Sequence, residues 1–181
     1  MTFSTLSVHQ QICLIVNIVG ALAVLGGYGV GVATHQAPST ALWGGVPTAL
    51  RGVYGISMLG AAVGYVAAAY FVIFRLDSSS TKMIFGLGYS SLTVAYVVVL
   101  SASAFWMPLT FQYVAAPSEA LWLAIRCVLF AVGFAALYLT IALWTLSPRP
   151  AGYVSWLATL GATYFCAHTL ILDAIVWAHF F

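Results

Sequence analysis

Five stretches of this chain are long and apolar enough to cross a bilayer, and little sequence is left between them. A helix needs about 20 predominantly apolar residues to span roughly 30 Å of hydrocarbon. Inside lipid it is also one of the few ways a backbone can satisfy its own N–H and C=O groups. The stretches run from Ile12 to Ala33, Gly52 to Phe74, Met83 to Trp106, Cys127 to Leu146 and Ala151 to Trp177. Between them lie HQAPSTALWGGVPTALR, RLDSSSTK, MPLTFQYVAAPSE and SPRP, which carry the polar, proline and charged residues that a hydrocarbon core excludes. The predicted fold is therefore all-α, a polytopic integral membrane bundle of about five transmembrane helices that makes residues 1–181 a single transmembrane domain. Short connections predict that sequential helices pack as antiparallel neighbours.

Composition supports this and removes other classes. The chain is 64% hydrophobic and only 4% charged, against roughly 25% charged residues in ordinary soluble domains. Its five Lys and Arg against three Asp and Glu give a formal charge of +2, too small and dispersed for a nucleic-acid footprint. Nucleic acid is excluded as a partner and the lipid bilayer is expected as one. Cys13, Cys127 and Cys166 are far apart and sit in or beside apolar segments, so they read as small buried hydrophobes. MTFSTLSVHQQ lacks the basic start of a secretory signal, which makes the first apolar stretch a retained span. Arg75, Lys82 and Arg149 fall on the N-terminal side of the membrane, and Arg51 and Arg126 on the other. The positive-inside rule then leans towards an internal N-terminus.

Two GxxxG patterns, Gly27 with Gly31 and Gly60 with Gly64, lie at similar depth in the first two spans and predict close approach of those two helices. The connection from Thr34 to Arg51 is apolar at Ala41, Leu42, Trp43, Val46 and Leu50, and is expected to fold back on the bundle. It reads either as a lid or as a loop resting at headgroup level. Trp43, Trp106, Trp122, Trp144 and Trp177 fall near span ends or in that loop, where an interfacial aromatic belt is expected.

Polar groups inside spans are expensive and therefore informative. His168 is near the middle of the fifth span. It reads as a ligand contact, a proton relay or an axial ligand to haem or chlorophyll, or else as an imidazole hydrogen-bonded to a neighbouring helix. No other span holds a histidine at matching depth. Asp173, five residues on, is about 140° round an α-helix from His168, so a His–Asp pair on this helix is not expected. Asp173 reads as a solvated or lightly paired carboxylate, with Arg126 as the alternative partner. Glu119, Trp122 and Arg126 share one face at the start of the fourth span, where snorkelling explains them. Tyr89, Thr93, Tyr96 and Ser103 form a stripe on the third span that either joins helices by hydrogen bonds or lines a cavity. No HxxxH, HExxH or paired carboxylates point to a metal.

Trp106-Met107-Pro108-Leu109 at the end of the third span and Leu172-Asp173-Ala174-Ile175-Val176-Trp177 near the C-terminus, with five short spans and a long first loop, resemble the TspO family of tryptophan-rich sensory or translocator proteins. That family typically carries Trp-x-Pro-Leu and Leu-Asn-x-x-Ile-Trp-like motifs at these places. Here the second motif has Asp173 for Asn, VPTALRGVYG replaces the Pro-rich start of the family's second span, and Gly161-Ala162 replaces a Pro-Tyr pair. The resemblance implies an aromatic-lined cavity for porphyrin- or sterol-like ligands, with Trp106 and Trp177 among its walls.

Three functional expectations follow. One is a receptor or carrier for a hydrophobic small molecule held between helices, with Tyr89, Tyr96, His168 and Asp173 as its polar contacts and Trp106 and Trp177 added by the resemblance. Another is a non-catalytic subunit of a larger membrane complex, or a homodimer. The third is an intramembrane isomerase or cyclase using His168, Asp173 or Glu119 as acid and base, which requires two of them to converge. The sequence names no cofactor.

Overall fold

In a computed structural model, which describes residues 6–34 and 39–181, five helices are long and apolar enough to cross a membrane. They are α1 (Val8–Thr34), α2 (Thr48–Phe74), α3 (Ser90–Ala115), α4 (Glu119–Trp144) and α5 (Tyr153–Phe180). They pack as a bundle, giving a multi-pass integral membrane protein. His35 and Pro38 of the first connection, and Met1–Thr5, lie outside the described residues.

Three span boundaries move furthest from their predicted positions: the two ends of α3 and the start of α4. α3 starts at Ser90 rather than Met83, because residues 83–89 make a tight turn instead. Met83 N–H donates to Leu87 O at 2.9 Å, and Phe85 and Gly86 take φ of 58° and 72°. The helix then runs through Trp106-Met107-Pro108 to Ala115, so most of MPLTFQYVAAPSE is helix rather than a break. A proline inside a membrane helix is tolerated where neighbouring groups accommodate the freed carbonyl. α4 begins at Glu119 rather than Cys127. Ser118 caps it, its Oγ accepting from Leu121 N–H at 3.3 Å, and the Glu119 carboxylate lies where the helix dipole favours a negative charge.

Around the bundle the order is α1, α3, α4, α5, α2. The short connections 116–118 and 145–152 do join neighbours. The consecutive pairs α1–α2 and α2–α3, linked by longer segments, pack far more weakly, which corrects the expectation for them. The glycines serve the same order rather than the expected α1–α2 pair: Gly27 and Gly31 face α3 at Ala104, Met107 and Phe111, while Gly60 faces Tyr164 of α5. Gly64 of α2 and Gly161 of α5 meet backbone to backbone. A Cβ on Gly161 would come to 2.7 Å from the Gly64 carbonyl oxygen, and one on Gly64 would be tighter still. Only hydrogen fits at either position.

On the N-terminal side, Lys82 and Ser147 exchange two backbone hydrogen bonds of 2.9 and 2.8 Å, tying the connection before α3 to the one before α5. Arg149 turns back under α4, donating to Ser155 Oγ, Thr159 Oγ1 and the carbonyls of Leu143 and Trp144. It lies 4.6 Å from the Trp156 ring centroid, so a cation closes the C-terminal end of α4 where the dipole favours it. The core of this half is solid, built on fully buried Phe71, Leu92, Tyr96 and Leu143.

On the opposite side, the first connection does fold back. A 3-10 turn at Ser39–Trp43 and buried Val46 rest on the helix ends. Gly45 N–H donates to Phe180 O at 2.8 Å, and Trp177 Nε1–H donates to Leu42 O at 3.0 Å.

Candidate ligand-binding site

Beneath that connection is a cavity of about 500 Å³, within the range of roughly 300–1,000 Å³ usual for small-molecule sites. Every helix contributes to it: Tyr28 from α1, Tyr54 and Ala61 from α2, Ser103 and Trp106 from α3, Leu129 and Val132 from α4, and Phe165, His168, Asp173 and Trp177 from α5. Leu42 and Trp43 of the first connection close its outer end. A separate groove of about 290 Å³ lies between α1 and α3 beside His9 and Thr93.

The walls are aromatic because rings from different helices stack edge to face. Trp106 and Trp177 are 5.6 Å apart between centroids, Tyr28 and Trp106 6.0 Å, and Trp43 and Tyr54 5.9 Å. The C-terminal Phe181 stacks on Trp177 at 4.3 Å and on Trp122 at 6.0 Å. Trp43, Trp106, Trp122 and Trp177 thus form one cluster rather than the expected belt. Half-exposed Trp144, 5.9 Å from Trp156 on the other side of the membrane, keeps a belt position. Tyr54 O–H is committed to Leu172 O at 2.9 Å and Trp177 Nε1 to Leu42, whereas Trp106 Nε1 has no hydrogen-bond partner among the described residues.

The polar side of the cavity rests on a local change in α5. Over Ala167–Trp177 the helix is π-helical, so its hydrogen bonds reach five residues back rather than four. Residues five apart then fall near the same face. His168 and Asp173, expected on different faces, come together: His168 Nε2 is 3.5 Å from Asp173 Oδ1. The other ring nitrogen, Nδ1, is 2.8 Å from Ser57 Oγ on α2, which accepts from Tyr164 O–H at 3.2 Å. The tautomer that uses every group places the imidazole proton on Nε2, towards Asp173, and lets Ser57 O–H donate to Nδ1.

His168 is 6% exposed while Asp173 keeps 33% of its side chain accessible, in keeping with a carboxylate on a cavity wall. Asp173 does not pair with Arg126. Arg126 is exposed on α4, and His168 is the partner that Asp173 has within ion-pair distance among the described residues. Glu119 is exposed and stands apart from both.

Of the six residues singled out from sequence, Trp106, His168, Asp173 and Trp177 meet on this cavity. Tyr89 and Tyr96 are not on its wall. Both are buried in the solid half, where Tyr89 O–H donates to Val72 O at 3.2 Å and Tyr96 packs edge-on against Tyr65 at 5.6 Å. The stripe on the third span therefore divides: Tyr89 bonds to α2, Tyr96 joins by ring packing while its O–H has no hydrogen-bond partner among the described residues, and Ser103 faces the cavity. Tyr28, Tyr54 and Ser57 were not anticipated. Ser57 carried a usable signal, as a hydroxyl in a span otherwise nearly free of polar side chains; the two tyrosines carried none. Among the described residues no group of three or more His, Cys, Asp or Glu is placed to hold a metal ion. Comparison with protein-family models, curated proteins and solved structures finds no match to this chain.

Proposed function

We propose that this protein is a membrane receptor or carrier for a hydrophobic, polycyclic small molecule bound between its helices. The observation that carries the reading is the aromatic-walled cavity of about 500 Å³ to which all five helices contribute. Its few polar groups, His168 and Asp173 foremost, are placed to fix the orientation of an otherwise apolar ligand. The motif resemblance to the TspO family supports the same class, with porphyrin- or sterol-like molecules as the implied ligands. The first connection is then a lid, because opening the Leu42–Trp177 hydrogen bond and lifting Trp43 exposes the cavity to the headgroup side.

The test is a titration of purified protein in lipid nanodiscs with a fluorescent sterol, a porphyrin and a neutral pyrene alcohol, read by quenching of tryptophan fluorescence. Saturable binding of at least one of them is expected, and absent from a Ser103→Phe variant whose new ring occupies the cavity. Linear, non-saturating quenching by all three would remove the reading.

One observation favours a second reading, an intramembrane isomerase or cyclase: His168 and Asp173 converge at 3.5 Å on the cavity wall, as proton transfer to a bound substrate requires. Product formation from a polyunsaturated isoprenoid in wild-type nanodiscs, lost in Asp173→Asn, would favour it. Binding without turnover across such substrates would count against it.

A further inference from the structure

The cavity wall carries one carboxylate and no cationic side chain. Lys and Arg number five in the whole chain, and none of them comes within ion-pair distance of Asp173. A carboxylate facing a largely apolar space inside a bilayer is costly to keep without a counter-charge. His168 does not supply one in the tautomer described above. With Nδ1 accepting from Ser57, the ring is neutral and brings no charge to Asp173, whose Oδ1 stands 3.5 Å from Nε2. The carboxylate keeps 33% of its side chain accessible.

The surroundings match the missing charge. Trp43, Tyr54, Trp106 and Trp177 line the cavity along with Asp173, and electron-rich ring faces attract cations. A carboxylate among several aromatic rings is the chemistry that holds an organic ammonium: the carboxylate accepts its N–H groups and the rings replace part of its hydration. The same wall opposes an anion, since a ligand carboxylate would face Asp173 with no Lys or Arg to offset it.

We propose that the ligand of this cavity is an amphipathic organic cation, a polycyclic or aromatic body bearing a protonated amine that pairs with Asp173 inside the tryptophan-rich wall. The proposal rests on the cavity being a ligand site and narrows the class that site takes. Among the ligands implied by the family resemblance, it disfavours porphyrins carrying free carboxylates.

Three probes of nearly one shape separate the possibilities: 1-pyrenemethylamine, 1-pyrenemethanol and 1-pyrenecarboxylate, titrated into protein in nanodiscs of zwitterionic lipid. Energy transfer from tryptophan to pyrene is read, with empty nanodiscs subtracted. The amine is expected to bind about tenfold or more tighter than the alcohol, and the carboxylate weakest. In Asp173→Asn the preference should collapse to less than about twofold while the alcohol binds as before, which also shows that the variant is folded. Ser57→Ala, which leaves the carboxylate in place, should keep the order of the three.

Saturable binding with amine and alcohol equal in the wild type would overturn the proposal and leave the cavity reading intact, because Asp173 would then be protonated and acting as a neutral donor. A preference for the amine that survives Asp173→Asn would overturn it too. If none of the three probes saturates, the proposal is overturned, and the cavity reading falls with it where the sterol and the porphyrin fail to saturate as well.

Discussion

The N-terminal half of the bundle closes on side chains, whereas the half beneath the first connection closes around a cavity, although the same five helices build both. In the solid half α2, α3 and α4 present Phe71, Leu92, Tyr96 and Leu143 inward, each fully buried. In the hollow half the inward positions at mid-depth are small, Ala61 and Ala62 on α2 and Ser103 on α3, and the large rings sit further out around Trp177. Hydrophobicity does not distinguish the halves, because lipid tails are as apolar as leucine. What distinguishes them is where volume is placed along each inward face, since association inside a bilayer depends on packing contacts.

The most damaging way to test the contrast is at the seam both halves share. Gly161→Leu forces α5 off α2 and is expected to cost about 3 kcal/mol or more in unfolding from mixed micelles; wild-type stability would mean the helices do not meet at Gly64. A paired comparison follows. Phe71→Ala, in the solid half, is expected to cost about 3 kcal/mol, and Leu129→Ala, which only enlarges an existing cavity, about 2 kcal/mol or less. Equal losses would argue that the cavity is filled or collapsed in the membrane.

Filling the hollow half should separate stability from binding. Ser103→Phe is expected to weaken pyrene or sterol binding by more than about tenfold while changing stability by less than about 1.5 kcal/mol. A smaller effect concerns α1, whose outer face is largely lipid-exposed. On its buried face Asn17 Oδ1 accepts from Tyr65 O–H at 2.6 Å, and Asn17 Nδ2 donates to Cys13 O at 2.9 Å. Tyr65→Phe is expected to cost about 1 kcal/mol without altering ligand affinity.

The smallest expected effect lies outside the membrane. The Ser80 hydroxyl, the Ser79 N–H and the Ser79 hydroxyl hold the Asp77 carboxyl below its ordinary range. A carboxylate depressed in the folded state steadies its loop above the ordinary range and loses that contribution as pH falls through the depressed value. Amide exchange at Ser79, corrected for intrinsic rates, should therefore quicken on acidification. It should quicken at neutral pH in Asp77→Asn, with ligand binding unmoved in both cases. Unchanged protection in the variant would show that Asp77 does not organise the turn.

Much of the architecture was legible in the residues, and the failures have identifiable causes. Apolar length located five spans. It misplaced the starts of α3 and α4, because hydropathy cannot tell a helix from an apolar turn such as 83–89 or see a cap such as Ser118. The GxxxG patterns correctly marked close approach and named the wrong partners, since a small residue specifies a gap and not what fills it. Tryptophans near span ends look alike in sequence whether they stay exposed, as Trp144 does, or turn to the interior, as Trp106 and Trp177 do. His168 and Asp173 were found for being polar inside a span, yet their pairing was set aside because α-helical spacing separates residues five apart.

What the sequence determined by itself was the solvent and the element type: long apolar stretches with almost no charge allow only membrane-spanning helices here, as the backbone must satisfy its own hydrogen bonds. The tertiary structure decided which helices neighbour one another, where the bundle is solid and where hollow, and which polar groups meet. Those outcomes depend on volumes matched between segments far apart in the chain. The last also depends on a π-helical stretch in α5, a change of helical pitch that no periodicity in the sequence announced.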